Sequence, residues 1–485
     1  WRFISKRIPI LLAIALGSAG LLYLWMVWRS LQPGLTGFYG PINSLKEFWF
    51  YISRQGYAGV DVSPSADMSD RFGFIQHFAG EALMQISPAG AVFAVFGIFW
   101  LIRRQTYGIL AATVWIFLAH SIGLIFLLGF DYEFLNLAVF RPYPLVSYGM
   151  LAFWMGCGFC LAWDKIRPWV KDGKPVFKLI PLFGLLIPIF LLQKNLNAND
   201  RRHDHFAENN ARMILGGLEP DAVLFVYGDS ETGPLGYFHF AEGVRPDIKL
   251  LSMQGLVYPN RILSPLISEG RKKAVIESFL RDTQKPVYFM TSENDFPNTF
   301  GNIHFGFYKK MNRRGNSSSI QLRFDKGVEN YFKTLVEGPK PKDRWNRHRH
   351  NKLMHQFGDF LGYTLLSEDP KLNNRAGGLV KAMENQYYGL TGMAEILIQH
   401  GNSNHLKTAQ EWLAKADSLM DETLSKERLG RHHYLRGFLA YRIGNREQAI
   451  KQFRSSLKVY KHPENPSRNA LQRLNVKASE GGDSS

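Results

Sequence analysis

Few groupings in this sequence have the residue types and spacing that chemistry requires. Cys157 and Cys160 form a C-x-x-C pair, a spacing used in redox and metal sites. Both lie in an apolar run, and no further Cys or nearby His completes a ligand set. Small apolar packing residues are therefore the better reading, and no metal is expected. His348, His350 and His355 stand among Arg and Lys, neighbours that oppose a cation, so a solvated basic helix face is expected there. Residues 228–233, GDSETG, follow an apolar run. Asp229, Ser230 and Thr232 are candidates for a ligand turn at a strand end, with a structural turn as the alternative. No G-x-G-x-x-G or P-loop spacing occurs. Asp131 and Glu133 are carboxylates between two apolar runs. Asn316-Ser317-Ser318 is an N-glycosylation sequon, meaningful only in a eukaryotic secretory pathway.

The elements that must position these residues divide the chain. Of its 485 residues, the first two hundred are crowded with Leu, Ile, Phe, Trp and Gly, and the rest reads as a basic globular chain. Runs at 8–28, 88–102, 107–128, 146–163 and 178–192 are long enough to cross a bilayer with some tilt, and lipid requires each to be helical. Arg2, Lys6 and Arg7, then Arg103 and Arg104, then Lys165, Arg167, Lys171 and Lys174 fall on one side of these five spans. Basic short loops mark the cytoplasm, so loop 29–87 and everything after Lys194 are expected outside it. The formal charge of +17 thus reads in part as membrane orientation, and no nucleic acid is expected. Within loop 29–87, residues 47–54 carry four consecutive aromatics, and 72–86 has helical amphipathic spacing. Both suit the membrane interface or packing on the helical bundle. The chain begins at Trp1 without Met, and a truncated chain is expected.

From 207 the pattern alternates helix and strand. Helix is expected at 207–218, strands at 222–227, 248–253 and 286–290, helix at 259–281, and a hairpin across 304–324 turning near 313–316. Residues 434–463 have the tetratricopeptide pattern in Gly437, Ala440, Tyr441, Gly444, Ala449, Phe453, Leu457 and Pro463, and 388–420 is a weaker copy. The expected organisation is a membrane domain (1–195), an extracytoplasmic α/β domain (196–340), a helical tetratricopeptide-like region (341–476) and a disordered tail (477–485).

Three segments carry a resemblance. The first, residues 23–57, contains Arg29, Ser30, Pro33, Gly40, Pro41, Phe48, Arg54 and Tyr57. The second, 140–158, is an aromatic loop entering a Gly-rich helix. The third, 209–249, runs from NNARMILGG through GDSETG to Arg245-Pro246-Asp247. In order and spacing these resemble a polytopic membrane family of formerly unknown function, which includes the animal O-mannosyltransferase for plexin and MET-type receptors. The resemblance covers most of 1–249 and, more loosely, the C-terminal repeats. It implies a GT-C-like α-helical membrane domain, partial here, followed by a small α/β domain and tetratricopeptide-like helices.

The resemblance also implies a chemistry. Such an enzyme transfers a sugar, mannose in the named member, from a polyprenyl-phosphate donor to an extracytoplasmic protein or peptide acceptor. The lipid-linked sugar is a substrate, and no cofactor is expected. The leaving phosphate needs cations at the membrane surface, and Arg can hold phosphate oxygens bidentately. Arg29, Arg54 and Arg141 are the expected phosphate ligands, with Trp49, Tyr57 and Tyr143 shaping the pocket. Interfacial anchoring is the plainer reading of such residues. The family's catalytic acid lies after its first membrane helix, so it is expected upstream of Trp1. The alternatives are a membrane-anchored, protein-binding scaffold and a transporter; the spans hold almost no ionisable residue beyond His120, which argues against the transporter. An integral protein of a bacterial inner or plasma membrane, or of the endoplasmic reticulum, is expected.

Overall fold

The computed structural model describes residues 2–32, 40–57, 62–171, 185–259, 261–290, 299–313, 320–421 and 423–476. The chain forms two compact units. One contains 1–58, 205–420 and 438–446; the other contains 59–204, 421–437 and 447–485.

The first unit begins with the helix Arg2–Ser30. Its Leu11, Leu22 and Trp25 are more than half exposed, as an apolar helix surrounded by lipid must be. The short helix Leu45–Ile52 follows. The α/β fold is built on a six-stranded sheet: β1 (Val223–Val226), β2 (Lys249–Ser252), β3 (Val287–Phe289), β4 (Gly301–His304), β5 (Lys309–Asn312) and β6 (Ile320–Leu322), in the order β2-β1-β3-β5-β4-β6. β1 pairs in parallel with β2 and β3, as continuous apolar runs predict. β5 is antiparallel to β3 and β4, while β6 is parallel to β4. One face of the sheet buries Val223, Phe225, Leu251, Val287 and Phe289 against Ile276 and Leu280.

Two expectations need correction in this unit. The hairpin lies N-terminal to its expected place: β4 and β5 turn through residues 305–308, and 314–319 lie outside the described residues, the sequon included. The helix expected at 259–281 begins only at Glu269. Pro265 lacks an N–H and disfavours helical geometry at Ser264, so the preceding stretch stays irregular.

The Arg245-Pro246-Asp247 motif has a structural role. Arg245 donates to the carbonyls of Leu215 and Leu218, each at 2.8 Å, and of Glu219 at 2.9 Å. It thereby closes the C-terminus of the helix Phe206–Gly217, where backbone acceptors lack partners. Asp247 grips the same guanidinium through two 2.8 Å bonds, which holds its carboxyl far below the usual range.

The helices Arg344–Leu366, Pro370–Met383, Tyr387–His400 and Ser403–Asp417 complete this unit. Gly358 and Gly392 face backbone of the opposite helix, so the first and third pack closely. His350 bonds the Leu335 carbonyl and His355 the Tyr388 carbonyl.

The second unit holds the helices Met68–Arg103, Tyr107–Leu118 and Leu145–Lys171. A π-helical turn at Ala119–Gly123 continues the middle one to Leu127. Together with Pro9–Ser30 these supply four described helices long and apolar enough to cross a membrane, and the chain is an integral membrane protein. Of the fifth expected span, 178–184 lies outside the described residues, and the helix Leu186–Asn199 follows. The span expected at 88–102 belongs to a longer helix that begins at Met68 and is broken at Ser87 (φ 63°, ψ 161°). Pro88 explains the break, because its ring excludes helical geometry from the preceding residue. Cys157 packs with Ala94, Leu101 and Trp154, whereas Cys160 is exposed; both are free thiols. At Gly97 and Gly158 the two long helices meet backbone to backbone. Close approach through small residues is how helices associate where apolar burial gives no drive.

In the C-terminal part of this unit, Phe453 lies against Gly437, and its ring is 5.7 Å from that of Tyr434. Residues 477–485 lie outside the described residues.

Candidate functional site

The most concentrated ionisable chemistry of the second unit lies where its long helices begin. Asp67-x-x-Asp70 starts the helix Met68–Arg103 through a capping box. Asp67 accepts from the amides of Ser69 (2.9 Å) and Asp70 (3.3 Å), and Asp70 accepts from that of Asp67 (2.9 Å). Such reciprocal bonds satisfy amides that have no intrahelical partner. One turn on, Arg71 donates to the carbonyls of Ile125 and Leu128, which closes the end of the neighbouring span. Beside the isolated bridge of Val62 to Gly129, Ser63 donates its amide to the Gly129 carbonyl at 2.6 Å. These bonds fix residues 62–71 against 125–132.

Lys426, at the start of the helix Lys426–Arg442, occupies the centre. Its ammonium lies 3.0 Å from both oxygens of Asp70 and 2.7 Å from Asp131 Oδ1. The second Asp131 oxygen accepts from Ser63 and, at 2.8 Å, from Ser65. Asp70 also accepts the Tyr132 amide at 2.8 Å. Glu133 accepts the Lys426 amide at 3.0 Å, and Asn136 lies 3.3 Å from its other oxygen. Beneath the cluster, Phe74, Phe78, Ile125, Leu128, Phe130 and Phe140 form an apolar floor. Tyr132 stacks edge-on to Phe74 at 5.3 Å.

Burial on this floor pushes the Glu133 carboxyl up to about 7. The Lys426 amide opposes the shift, and the charges of Asp131 and Glu427 add to it. Burial acts to lower the Lys426 ammonium, but hydrogen bonds and charge from Asp131 and Asp70 together raise it. The cluster thus sets two carboxylates around one cation, beside a third carboxyl poised to exchange a proton near neutral pH.

A stability consequence follows for Glu133. The folded state holds this proton more tightly than the unfolded chain does. Its contribution is therefore most favourable below the ordinary carboxyl range and is lost as pH rises from about 4.5 to about 7. Glu133→Gln is expected to remove that slope and to unfold at higher temperature than the parent above pH 7. Thermal unfolding of both proteins across pH 5 to about 8 checks this.

The other sequence-derived candidates are divided between the two units. Arg29 sits half-buried in the last turn of the first span, and Arg54 is exposed with φ 56° after the helix Leu45–Ile52. Both belong to the first unit. Arg141 and Tyr143 belong to the second, Arg141 exposed and Tyr143 packed near Phe140. Trp49 is 61% exposed. Tyr57 ends the short 3-10 helix Gln55–Tyr57.

Asp229 and Ser230 open the helix Asp229–Gly236, which follows β1. Thr232 is buried there and committed to structure: its hydroxyl donates to the Gly228 carbonyl at 3.0 Å, and its own carbonyl accepts from Tyr258 at 2.6 Å. Between them lies Glu231, which the sequence did not mark. It is wholly buried, 2.7 Å from Arg349 and 3.2 Å from Lys352. Among the described residues, no group of three His, Cys, Asp or Glu side chains is placed to hold a metal ion.

Asp131 and Glu133 were visible as carboxylates between spans. Asp70 had a readable signal, the D-x-x-D box before an amphipathic run. Lys426 had none, because it lies 295 residues from Asp131 and its neighbours form no motif.

Over 154 residues the chain is 26% identical to the protein O-mannosyl-transferase tmem260 of Dictyostelium discoideum, a match covering 27% of this chain and 19% of that relative. It is 29% identical over 77 residues to protein O-mannosyl-transferase TMEM260 of Mus musculus, covering 16% of this chain and 11% of that protein. The matched stretches thus span at most about a fifth of these relatives. No family model matches the chain, and no solved structure matches it significantly.

Proposed function

We propose that this chain is part of a membrane glycosyltransferase that moves a sugar, mannose by preference, from a polyprenyl-phosphate donor to a hydroxyl of an extracytoplasmic protein. The observation that carries the proposal is the partial likeness to two protein O-mannosyl-transferases, in a chain with four apolar helices of membrane-spanning length. The acidic cluster is assigned to the non-cytoplasmic end of the second unit. In support, Arg104 and Asp164, 2.8 Å apart, lie at the opposite ends of their helices, beside the basic loops that favour the cytoplasm.

In the proposed reaction the bond between the anomeric carbon and the phosphate oxygen breaks, and the phosphate leaves with the electron pair. The acceptor oxygen bonds the same carbon and gives up its proton. Among the described residues Glu133 best suits a proton acceptor, because a carboxyl titrating near 7 is half ionised at working pH and still basic. Arg29, Arg54 and Arg141 are each proposed to hold donor phosphate, a role that needs a planar, always-charged donor at the lipid surface. Tyr57 and Tyr143 are proposed to shape the pocket.

The test uses the purified full-length protein with polyprenyl-phosphate mannose and a Ser/Thr peptide. Transfer is expected. It should fall roughly a hundredfold or more in Glu133→Gln and about tenfold or more in Arg29→Ala and Arg54→Ala. Absence of transfer by the parent protein overturns the activity. Unchanged rates in all three variants overturn the residue assignments.

A further inference from the structure

The helix Leu45–Ile52 is built inside out for a surface helix. Its one carboxylate, Glu47, is buried, while Leu45 and Trp49 are 85% and 61% exposed. Glu47 receives both oxygens' worth of partners from one side: Arg261 Nη2 at 3.1 Å from each, Ser264 Oγ at 2.9 Å and the Asn43 amide at 2.9 Å. The Arg261 and Glu47 side chains are 8% and 7% exposed. Tyr51, one turn on, donates its hydroxyl to the Leu256 carbonyl at 3.2 Å. One face of the helix is thereby fastened to the 256–264 segment that follows β2.

A helix advances about 100° per residue. Leu45 and Trp49 therefore point away from the Glu47–Tyr51 face, Phe48 projects to one flank and Lys46 to the other. The Phe48 flank meets the first membrane helix: its ring lies 6.2 Å from that of Tyr23. The Ile42 amide bonds the Ser30 hydroxyl at 3.1 Å, so the chain returns to the end of that helix before the short one begins. Tyr23 lies seven residues before Ser30, a rise of about 10 Å. Phe48 thus sits alongside the last two turns of a helix long and apolar enough to span a membrane.

We propose that Leu45 and Trp49 insert into the bilayer interface, and that the Glu47–Arg261 pair couples this wedge to the α/β fold. The occupant of the exposed apolar face is lipid. Depth beside the span sets the level, aromatic and aliphatic side chains favour that zone, and Lys46 on the far flank reaches water. The wedge seats the α/β fold on the membrane surface through a charge pair shielded from solvent. This inference does not depend on the proposed activity.

Single cysteines at positions 45, 46 and 49, introduced as Leu45→Cys, Lys46→Cys and Trp49→Cys in a Cys157→Ala/Cys160→Ala background, test it. The full chain is placed in phosphatidylcholine nanodiscs, and nitroxide labels report collisions with oxygen and with a neutral nickel chelate. Labels at 45 and 49 are expected to favour oxygen, enriched in lipid, several-fold over the label at 46, which should favour nickel. Nickel access at 45 and 49 equal to that at 46 means a solvated face and overturns the proposal. Protection of 45 and 49 from both probes means a protein occupant, a second copy included, and overturns it equally.

Discussion

Lys426→Met is expected to lower the thermal midpoint of unfolding by roughly 6–12 °C, the largest effect of any single substitution in the acidic cluster. Asp70 and Asp131 are 5% and 6% exposed, and Lys426 Nζ bonds both. Removing the cation leaves two buried carboxylates close together without a countercharge. Breaking such a pair costs about 3–5 kcal/mol. The Lys426 side chain keeps 29% exposure, and solvent screening brings the figure toward the lower end. A unit of this size shifts about 2–4 °C per kcal/mol.

Asp70→Asn or Asp131→Asn alone should cost less, since Lys426 retains the other carboxylate. Combining Lys426→Met with both substitutions should recover part of the loss, which is the signature of a coupled network. Differential scanning fluorimetry of the five proteins in one detergent decides the matter. A Lys426→Met midpoint equal to that of the parent means that the cation is not buried between the carboxylates. The pH dependence has a definite sign. Lys426 is raised by its partners, so its contribution is full below the ordinary lysine value and is lost as pH climbs through the raised one.

Gly97→Leu and Gly158→Leu are expected to abolish the folded membrane domain. A Cβ at Gly97 would overlap the carbonyl of Trp154, and one at Gly158 that of Phe93. Backbone cannot move aside as a side-chain tip can, so the helices must separate along their length. That separation would also expose Trp154, Leu101 and Ala94. Ordinary overpacking costs about 1–3 kcal/mol, and backbone overlap at the closest point of the longest helix pair costs more. Gly156→Leu supplies the control: it lies on the same helix, and a Cβ there meets nothing within 4 Å. Fluorescence-detected size exclusion should show a monodisperse peak for Gly156→Leu and aggregate for the other two. Equal peaks for all three would show that the helices do not meet at Gly97 and Gly158.

Much of the fold was legible because its signals are local. Apolar length marks a membrane span without reference to any other element, and the helices Pro9–Ser30, Tyr107–Leu127 and Leu145–Pro168 follow it. β1, β2 and β3 were legible as continuous apolar runs, since a strand covered on both faces needs no polar alternation. The C-terminal helices were legible from their small residues at helical spacing. The hairpin of β4 and β5 was displaced in the reading because Arg313-Arg314-Gly315-Asn316 is a stronger local turn signal than Phe305-Gly306-Phe307-Tyr308. Gly306, with φ 103° against Phe357, takes that turn for reasons of packing that lie fifty residues away.

From the amino-acid order alone came the membrane-spanning character and the presence of carboxylates between spans. These depend on transfer of side chains between water and lipid, a property each residue carries by itself. Only the tertiary structure decided that Lys426 joins Asp70 and Asp131, that Arg349 and Lys352 enclose Glu231, and that Arg261 takes Glu47 out of water. A charge enters a protein interior only with its partner, and partner choice is settled by the packing that removes water from both. That packing is a property of the whole chain and leaves no mark in the neighbourhood of either residue.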